Sequence, residues 1–436
     1  MAIGWLVIRN KQWKDNSMDY KEAFARVEQE EAYIVDILKR IIAVDTSVPP
    51  GENYAKLIDI VEPEFQRFGF ETKRVVVPEE KVRQMPVELS GERCNLVASL
   101  KNGKTKASAY AHMDVVPVDE PWSMDPFGGE IVDGKLYGRG TVDMKGSIAC
   151  YLGAAKVLYE MGIEPHYELD CLLCTDEEIG VYPGARYLAE EGYFSKHLVW
   201  LELGAIEPIV VIGSAGCVKV DVTAIGKSCH SGMNYLGVNA IEELVPVLNE
   251  LLILKKDVEK RLSRIPTFPL PEVPYEKMTP MFSMTVIRGG TKDNIVPAEC
   301  KLTINRRYIV DERLEDVLTE IQEAVRRGRE KSKLKDLKLH SHHIYSPVEI
   351  DQDSAASKKM RAASTAAKGY EDYTFGGISG STDLGLVADA LKPEKVDVAC
   401  FGLVRASDIR AHAADEFVYV EDLITMTKEL VHYFAF

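Results

Sequence analysis

The sequence predicts an α/β protein, with a mainly parallel sheet covered by helices on both faces and a smaller α+β domain inserted into it. Three observations carry that reading. Short apolar runs alternate with helical stretches up to about residue 213, the pattern changes character after 214, and the first style returns toward the C-terminus. A chain of 436 residues is too long for one compact domain, so two are expected. Residues 1–213 and 331–436 read as the two parts of the larger domain, and 214–330 as the insert.

Taken in order, residues 20–43 read as one helix, because Ile34, Ile37, Leu38, Ile41 and Ile42 fall on a single stripe. "DTSVPPGEN" breaks it, and a second helix follows near 54–68. "CNLVASL", "SAYAH", "ELDCLLC" and "KHLVWLE" read as strands, with "SIACYLGAAKVLYEMG" and "PGARYLAEEG" as helices between them. The insert reads as a strand ("CVKVDVTAIG"), a long helix ("NAIEELVPVLNELLILKKDVEK"), a proline-rich loop ("IPTFPLPEVP"), two strands ("MFSMTVIRGG" and "ECKLTINRRYIV") and a helix over 312–328. "HSHH" at 340–343 reads as a loop at the domain junction.

Composition excludes some classes of function. A net charge of −15 argues against nucleic acid, whose phosphates reward Lys and Arg. No apolar run approaches the length of a membrane span. "MAIGWLVIRNK" lacks a basic start and a small-residue cleavage site, so residues 1–19 read as an N-terminal extension and not a signal peptide. Eight cysteines are scattered through a chain that needs no staples, which suggests reduced thiols and a cytoplasmic setting. Cys171 and Cys174 lie within an apolar run and read as buried strand residues, not as a metal or redox pair.

Candidate metal ligands fall where strands end. His112 follows "SAYA", Glu177 and Glu178 follow "CLLCTD", and Glu202 follows "HLVW". Open α/β sheets bind ligands at the carboxyl ends of their strands. Asp143 lies in the glycine-containing "YGRGTVDMKG", just before a helix, and "IRAHAADEF" adds His412. Each has a bland reading as a surface group, a helix cap or a solvated turn. Jointly, two histidines and three carboxylates make a ligand set for zinc or a similar ion. Two metals about 4 Å apart need a bridging carboxylate, and Asp143 suits that place. Asp114, two residues beyond His112, can orient the imidazole. Adjacent Glu177 and Glu178 cannot face one way on a regular strand. In a turn, one can bind metal while the other acts as base toward a water whose pKa falls to about 7 on zinc.

These residues carry a resemblance. "HMDVVPVDEPWSMDPFGGEIVDGKLYGRGTVDMKG", "TDEEIG", "GKSCHSGMNYLGVNAIE", "GGTKDNIVPAECKLTINRRY" and "AHAADEFVYVEDL" resemble, in order, the sequence blocks of a dinuclear zinc amidohydrolase family. That family includes aminoacylase, acetylornithine deacetylase, succinyl-diaminopimelate desuccinylase and glutamate carboxypeptidase. The resemblance spans about 95–425. It implies a zinc-peptidase-like catalytic domain and gives the insert the part of a lid and dimerisation domain. It also implies two zinc ions per subunit, with Co²⁺ or Mn²⁺ as substitutes. His112 and Glu202 would hold one ion, Glu178 and His412 the other, and Asp143 would bridge. Asp114 would orient His112, and Glu177 would be the general base. His230 would reach the partner subunit's site in a homodimer and polarise the scissile carbonyl. Asn294 and Arg307 match substrate-binding positions, and a guanidinium can grip a carboxylate bidentately.

Two departures stand out. The family usually shows Glu-Pro at the fourth ligand block, where this chain reads "LELGAIEP". Glu202 keeps the strand end and Glu207 keeps the proline, and Glu202 is preferred. Many members carry Gly-Pro-Gly before the last histidine, where this chain has "GLVRASDIRAH", a loop expected to line the substrate pocket. The expected activity is hydrolysis of the amide bond of an N-acyl amino acid, a small-molecule substrate with a free carboxylate. The alternatives are a dipeptidase or carboxypeptidase of the same family, or a hydrolase of an aromatic amide or ureide. A non-catalytic scaffold keeping only the fold is disfavoured, because Glu177 and Asp114 are both present.

Overall fold

A computed structural model describes residues 19–85, 87–180, 182–269 and 273–436. Of the N-terminal extension, only Asp19 is among them. The larger unit is built on a six-stranded sheet. Its spatial order is Glu71–Val76, Cys94–Leu100, Glu168–Cys174, Lys106–His112, His197–Trp200 and Asp397–Cys400. Lys106–His112 runs parallel to both neighbours, and His197–Trp200 runs parallel to Asp397–Cys400. Only Cys94–Leu100 is reversed, antiparallel to the strand on either side. The central strands are buried along nearly their whole length. Burial on both faces leaves no alternation along these strands, and even Ser108 and Asp170 within them are buried.

The stripe read at 34–42 is fully buried. Each such side chain contributes about 1.5–3 kcal/mol over its exposed state. The helix itself is split into Tyr20–Gln29 and Glu31–Ile42. Glu30 leaves helical geometry (φ −95°, ψ 7°), and its carboxylate pairs with Arg26 and Lys156. The helix Lys145–Met161 is buried from Lys145 to Leu158. It packs against Glu31–Ile42 and the C-terminal helix Val420–Ala435. Cys171 and Cys174 are buried free thiols, as expected.

The second unit is a four-stranded antiparallel sheet in the order Met281–Gly289, Glu299–Tyr308, Gly216–Ile225, Asp336–Tyr345. Helices Ala240–Val258 and Leu314–Glu330 pack on one face and share a core with Val218, Val220, Val222 and Ala224. Cys217, Lys219 and Asp221 alternate with these and point to the other face. "HSHH" is not a loop: residues 340–343 belong to the Asp336–Tyr345 strand. Leu337 and Leu339 pack on the helix side, which leaves His340 and His342 on the opposite face. This sheet therefore runs past residue 330 to Tyr345. Among the described residues, no helix is long and apolar enough to cross a membrane.

Candidate metal centre

Parallel strands bring their carboxyl ends to one edge, and the ligand candidates gather there. His112 closes its strand and is fully buried. Its Nδ1 lies 3.0 Å from the main-chain carbonyl of Asp114 and 3.7 Å from that residue's carboxylate. A carbonyl can only accept, so Nδ1 carries a proton and Nε2 is the nitrogen left to face a metal. The orienting group is thus chiefly the Asp114 backbone. The Asp114 carboxylate accepts the main-chain N–H of Glu178 at 2.9 Å, which ties the first strand tip to the second.

Asp143 sits on a loop held from beneath by Glu416. The Glu416 carboxylate accepts the backbone N–H groups of Gly140, Val142 and Asp143 and pairs with Arg139 at 2.9 Å. Gly140 has φ +88°, and a Cβ there would lie 2.7 Å from Val115, so the loop needs glycine. Asp143 Oδ1 lies 3.1 Å from His112 Nε2, and Oδ2 lies 3.3 Å from His412 Nε2. The His412 Nε2 is also 3.0 Å from Glu178 Oε2. Two ligand atoms on a tetrahedral zinc, each bonded at about 2.0–2.1 Å, stand roughly 3.3 Å apart. The nitrogen–oxygen separations seen here match that spacing.

Glu177 and Glu178 occupy a short turn, Glu177–Ile179, between Asp176 at φ +65° and Gly180 at φ +62°. The turn lets neighbours face different ways, as the sequence requires. It is clamped on several sides. Arg93 and Tyr54 hold the buried Asp176 carboxylate at 3.3 and 2.9 Å. The Tyr345 hydroxyl donates to the Glu177 carbonyl, and a Cβ on Gly180 would strike the Tyr345 ring at 2.4 Å. Glu202 follows its strand end, with Oε2 accepting from Trp200 Nε1 at 3.0 Å and Thr382 Oγ1 at 2.9 Å. Glu207 is elsewhere. Its carboxylate accepts from the backbone of Ala406 and Ser407 and anchors the divergent loop.

Two overlapping sets each bring their potential ligand atoms within 4.8 Å of one another: His112, Asp143 and Glu178, and His112, Glu177 and Glu202. Burial pushes the Glu177 and Glu178 carboxyls up and Glu202 up to about 7. For Asp143 burial also acts upward, but hydrogen bonds from His112 and His412 outweigh it and lower the carboxyl. Hydrogen bonds to Asp143 and Glu178 raise His412 to about 10. Among the described residues, no Lys or Arg pairs with Asp143, Glu177, Glu178 or Glu202, and Asp114 Oδ1 and Asp383 Oδ1 lack hydrogen-bond partners. Four carboxylates and two imidazoles gathered at one site with no lysine or arginine partner suit divalent cations, which would neutralise them.

Of the other sequence candidates, Arg307 comes to this site and two do not. Arg307 lines a cleft of about 430 Å³ together with Glu177, Glu178 and His412, and its Nη1 donates to Ser381 Oγ at 2.6 Å. Exposed His230 caps the turn Ser231–Leu236, its Nδ1 accepting from Gly232 N–H at 3.1 Å. The Asn294 carbonyl accepts from Ser231 beside it. Neither lines the cleft. Among the described residues that line this cleft none comes from loop 403–410, while His412, two residues beyond it, does. Sequence reasoning missed Trp200, Thr382, Tyr345 and Glu416 as supports. Glu416 alone left a trace, inside the block that carries His412.

The sequence pattern of Peptidase family M20/M25/M40 matches residues 109–435. A probable succinyl-diaminopimelate desuccinylase of Staphylococcus epidermidis is 30% identical over 350 residues, covering 76% of this chain and 83% of that protein. Among solved structures, the dipeptidase Dug1p of Saccharomyces cerevisiae superposes with a TM-score of 0.76 at 17% identity, covering 96% of this chain and 98% of that one. A dinuclear metal-binding M20 peptidase of Bacillus subtilis gives 0.60 at 14% identity, covering 95% and 98%. The resemblance read from the sequence blocks is borne out: the chain is a metal-dependent hydrolase of amide bonds and belongs to Peptidase family M20/M25/M40.

Proposed function

We propose that this protein hydrolyses the amide bond of an N-acyl amino acid at a site holding two zinc ions per subunit, with Co²⁺ or Mn²⁺ able to substitute. The observation that carries the reading is Asp143, whose two carboxylate oxygens face two different imidazoles. His112 with Glu202 would hold one ion, His412 with Glu178 the other, and Asp143 would span both. The desuccinylase relative and the dinuclear peptidase support this choice. Bound there, the metals would supply an acidified water and polarise the scissile carbonyl.

The chain's own groups do the rest. Glu177 lines the cleft beside His112 and Glu202; it takes the proton of the attacking water and delivers it to the leaving amine. Asp114 and Tyr345 fix the turn from which Glu177 acts. Arg307 receives the substrate carboxylate through its planar fork. The 214–330 unit, with its edge strand 336–345, serves as lid and dimerisation domain. Exposed His230 and the neighbouring Asn294 would then enter the partner subunit's cleft, His230 donating to the developing oxyanion. The free cysteines, almost all buried, fit a reducing, cytoplasmic setting.

The test combines metal removal with a substrate panel. A chelator should abolish activity, and Zn²⁺, Co²⁺ or Mn²⁺ should restore it, since mixed N/O ligands select weakly among these ions. N-acyl amino acids should be cleaved faster than dipeptides or aromatic amides. Full activity after verified metal removal refutes the mechanism. Faster dipeptide cleavage makes the protein a dipeptidase.

A further inference from the structure

The cleft has a second polar station beyond Arg307. Strand register fixes its position. Arg307 pairs with Cys217, and two residues further along, Asn305 pairs with Lys219, which in turn pairs with His342 on the edge strand. All of these line the same cleft as Glu177 and His412. Residues i and i+2 of a strand share a face and stand about 6.7 Å apart. One strand over adds about 4.8 Å sideways, so the Arg307 and Lys219 backbones are roughly 8 Å apart. The Gly216 end of this strand adjoins the catalytic unit, where Ala215 bonds to Ile378 and Gly380. Lys219 is therefore farther from the carboxylate cluster than Arg307.

The charges facing Lys219 can be named. Asp221 Oδ2 lies 3.5 Å from Lys219 Nζ and 3.7 Å from His342 Nε2, while Asp221 Oδ1 accepts from Thr303 at 2.7 Å. Both separations exceed a good charge-assisted hydrogen bond, so Asp221 orients the pair without saturating its donors. His340 adjoins His342 edge-on. Burial, with the Lys219 ammonium nearby, holds His342 below the usual imidazole range, so it offers a neutral donor beside the ammonium.

We propose that Lys219 and His342 form a distal anion subsite, so that the preferred substrate is an amide carrying two carboxylates, one at Arg307 and a second at Lys219. This rests on the N-acyl amino acid reading above. The second carboxylate lies either on the acyl chain or on the amino-acid side chain; the roughly 8 Å separates backbones, and the flexible Lys219 stem can reach either position.

Two substrate pairs distinguish these sources, each pairing a dianion with its neutral isostere. N-succinylalanine is compared with N-succinamoylalanine, and N-acetylglutamate with N-acetylglutamine. In the metal-loaded enzyme, kcat/KM should favour the dianion at least tenfold in one pair, and that pair identifies the side on which the subsite lies. Lys219→Met, which keeps the stem and removes the charge, should lower this preference ratio at least tenfold, chiefly through KM. His342→Gln, which keeps a donor, should lower it less. Metal content and far-UV circular dichroism of each variant confirm an intact fold. The ratio compares two substrates on one protein, so a partial folding defect cancels. Cleavage of the isosteres with no dianion preference in either pair overturns the subsite and leaves the amide-hydrolase reading standing. An unchanged ratio in Lys219→Met overturns it as well. Cleavage of none of the four overturns both readings.

Discussion

Glu177→Gln separates base from ligand at the centre of the site. Glutamine keeps the volume of glutamate and removes its capacity to take a proton. The turn should survive, because its clamps use main-chain atoms: Tyr345 bonds the Glu177 carbonyl and Asp114 bonds the Glu178 N–H. The side chain then remains on the cleft. Loss of a general base costs about 10²–10⁴ in rate, which is roughly 2.7–5.5 kcal/mol of barrier. The expected variant has kcat lowered by that factor, KM little changed and two metals per subunit. Glu178→Gln is the reference. It weakens a group lying 3.0 Å from His412 and should lose metal at the same dialysis step. The assay is elemental analysis after gel filtration together with steady-state rates. The structure makes this a real contest, because Glu177 also forms a ligand-like set with His112 and Glu202. If Glu177→Gln loses metal as readily as Glu178→Gln, Glu177 is a ligand and its assignment as base is wrong.

Three further outcomes are expected. Glu202→Ala should lose metal affinity strongly. Glu207→Ala should keep both metals and loosen only loop 403–410, as limited proteolysis would read; the reverse pattern would move the ligand to Glu207. His230→Ala should be nearly inactive with normal metal content, a loss of about 10²–10³ for one oxyanion donor. Mixed with Glu177→Gln under proven subunit exchange, it should recover activity toward a quarter of wild type by counting sites, and no recovery would mean that His230 does not act across a dimer. The last outcome concerns pH. His412, raised to about 10 without metal, is protonated at pH 7 and must lose that proton to bind. Zinc affinity of the metal-free protein should therefore rise about tenfold from pH 6.5 to 7.5 per proton displaced, and calorimetry in two buffers should detect proton release. Affinity independent of pH would contradict the assignment of His412 as ligand.

The parts of this site legible in the sequence are those governed by local rules. His112, Glu177, Glu178 and Glu202 were found because each follows an apolar run, and parallel strands put their ends on one edge. The buried stripe at 34–42 was readable for the same reason, although the break at Glu30 was not, since its ion pair with Lys156 joins distant segments. The histidine run at 340–343 was misread because four polar residues outweighed the alternation of Leu337 and Leu339 that marks a strand. The supports were hidden by sequence distance. Thr382 reaches Glu202 across 180 residues, and Glu416 reaches the Asp143 loop across more than 270. Composition also gives no sign that Asp114 orients His112 mainly with its main-chain carbonyl.

The proposed function stands or falls with Asp143 as the bridge between two metals. Anomalous diffraction at the zinc edge from metal-loaded crystals tests it most directly. Two peaks per subunit are expected, about 3.5–4 Å apart, one beside His112 and one beside His412, with one Asp143 oxygen directed at each. A single peak under zinc-saturating conditions, or a pair of peaks that Asp143 does not join, would contradict it.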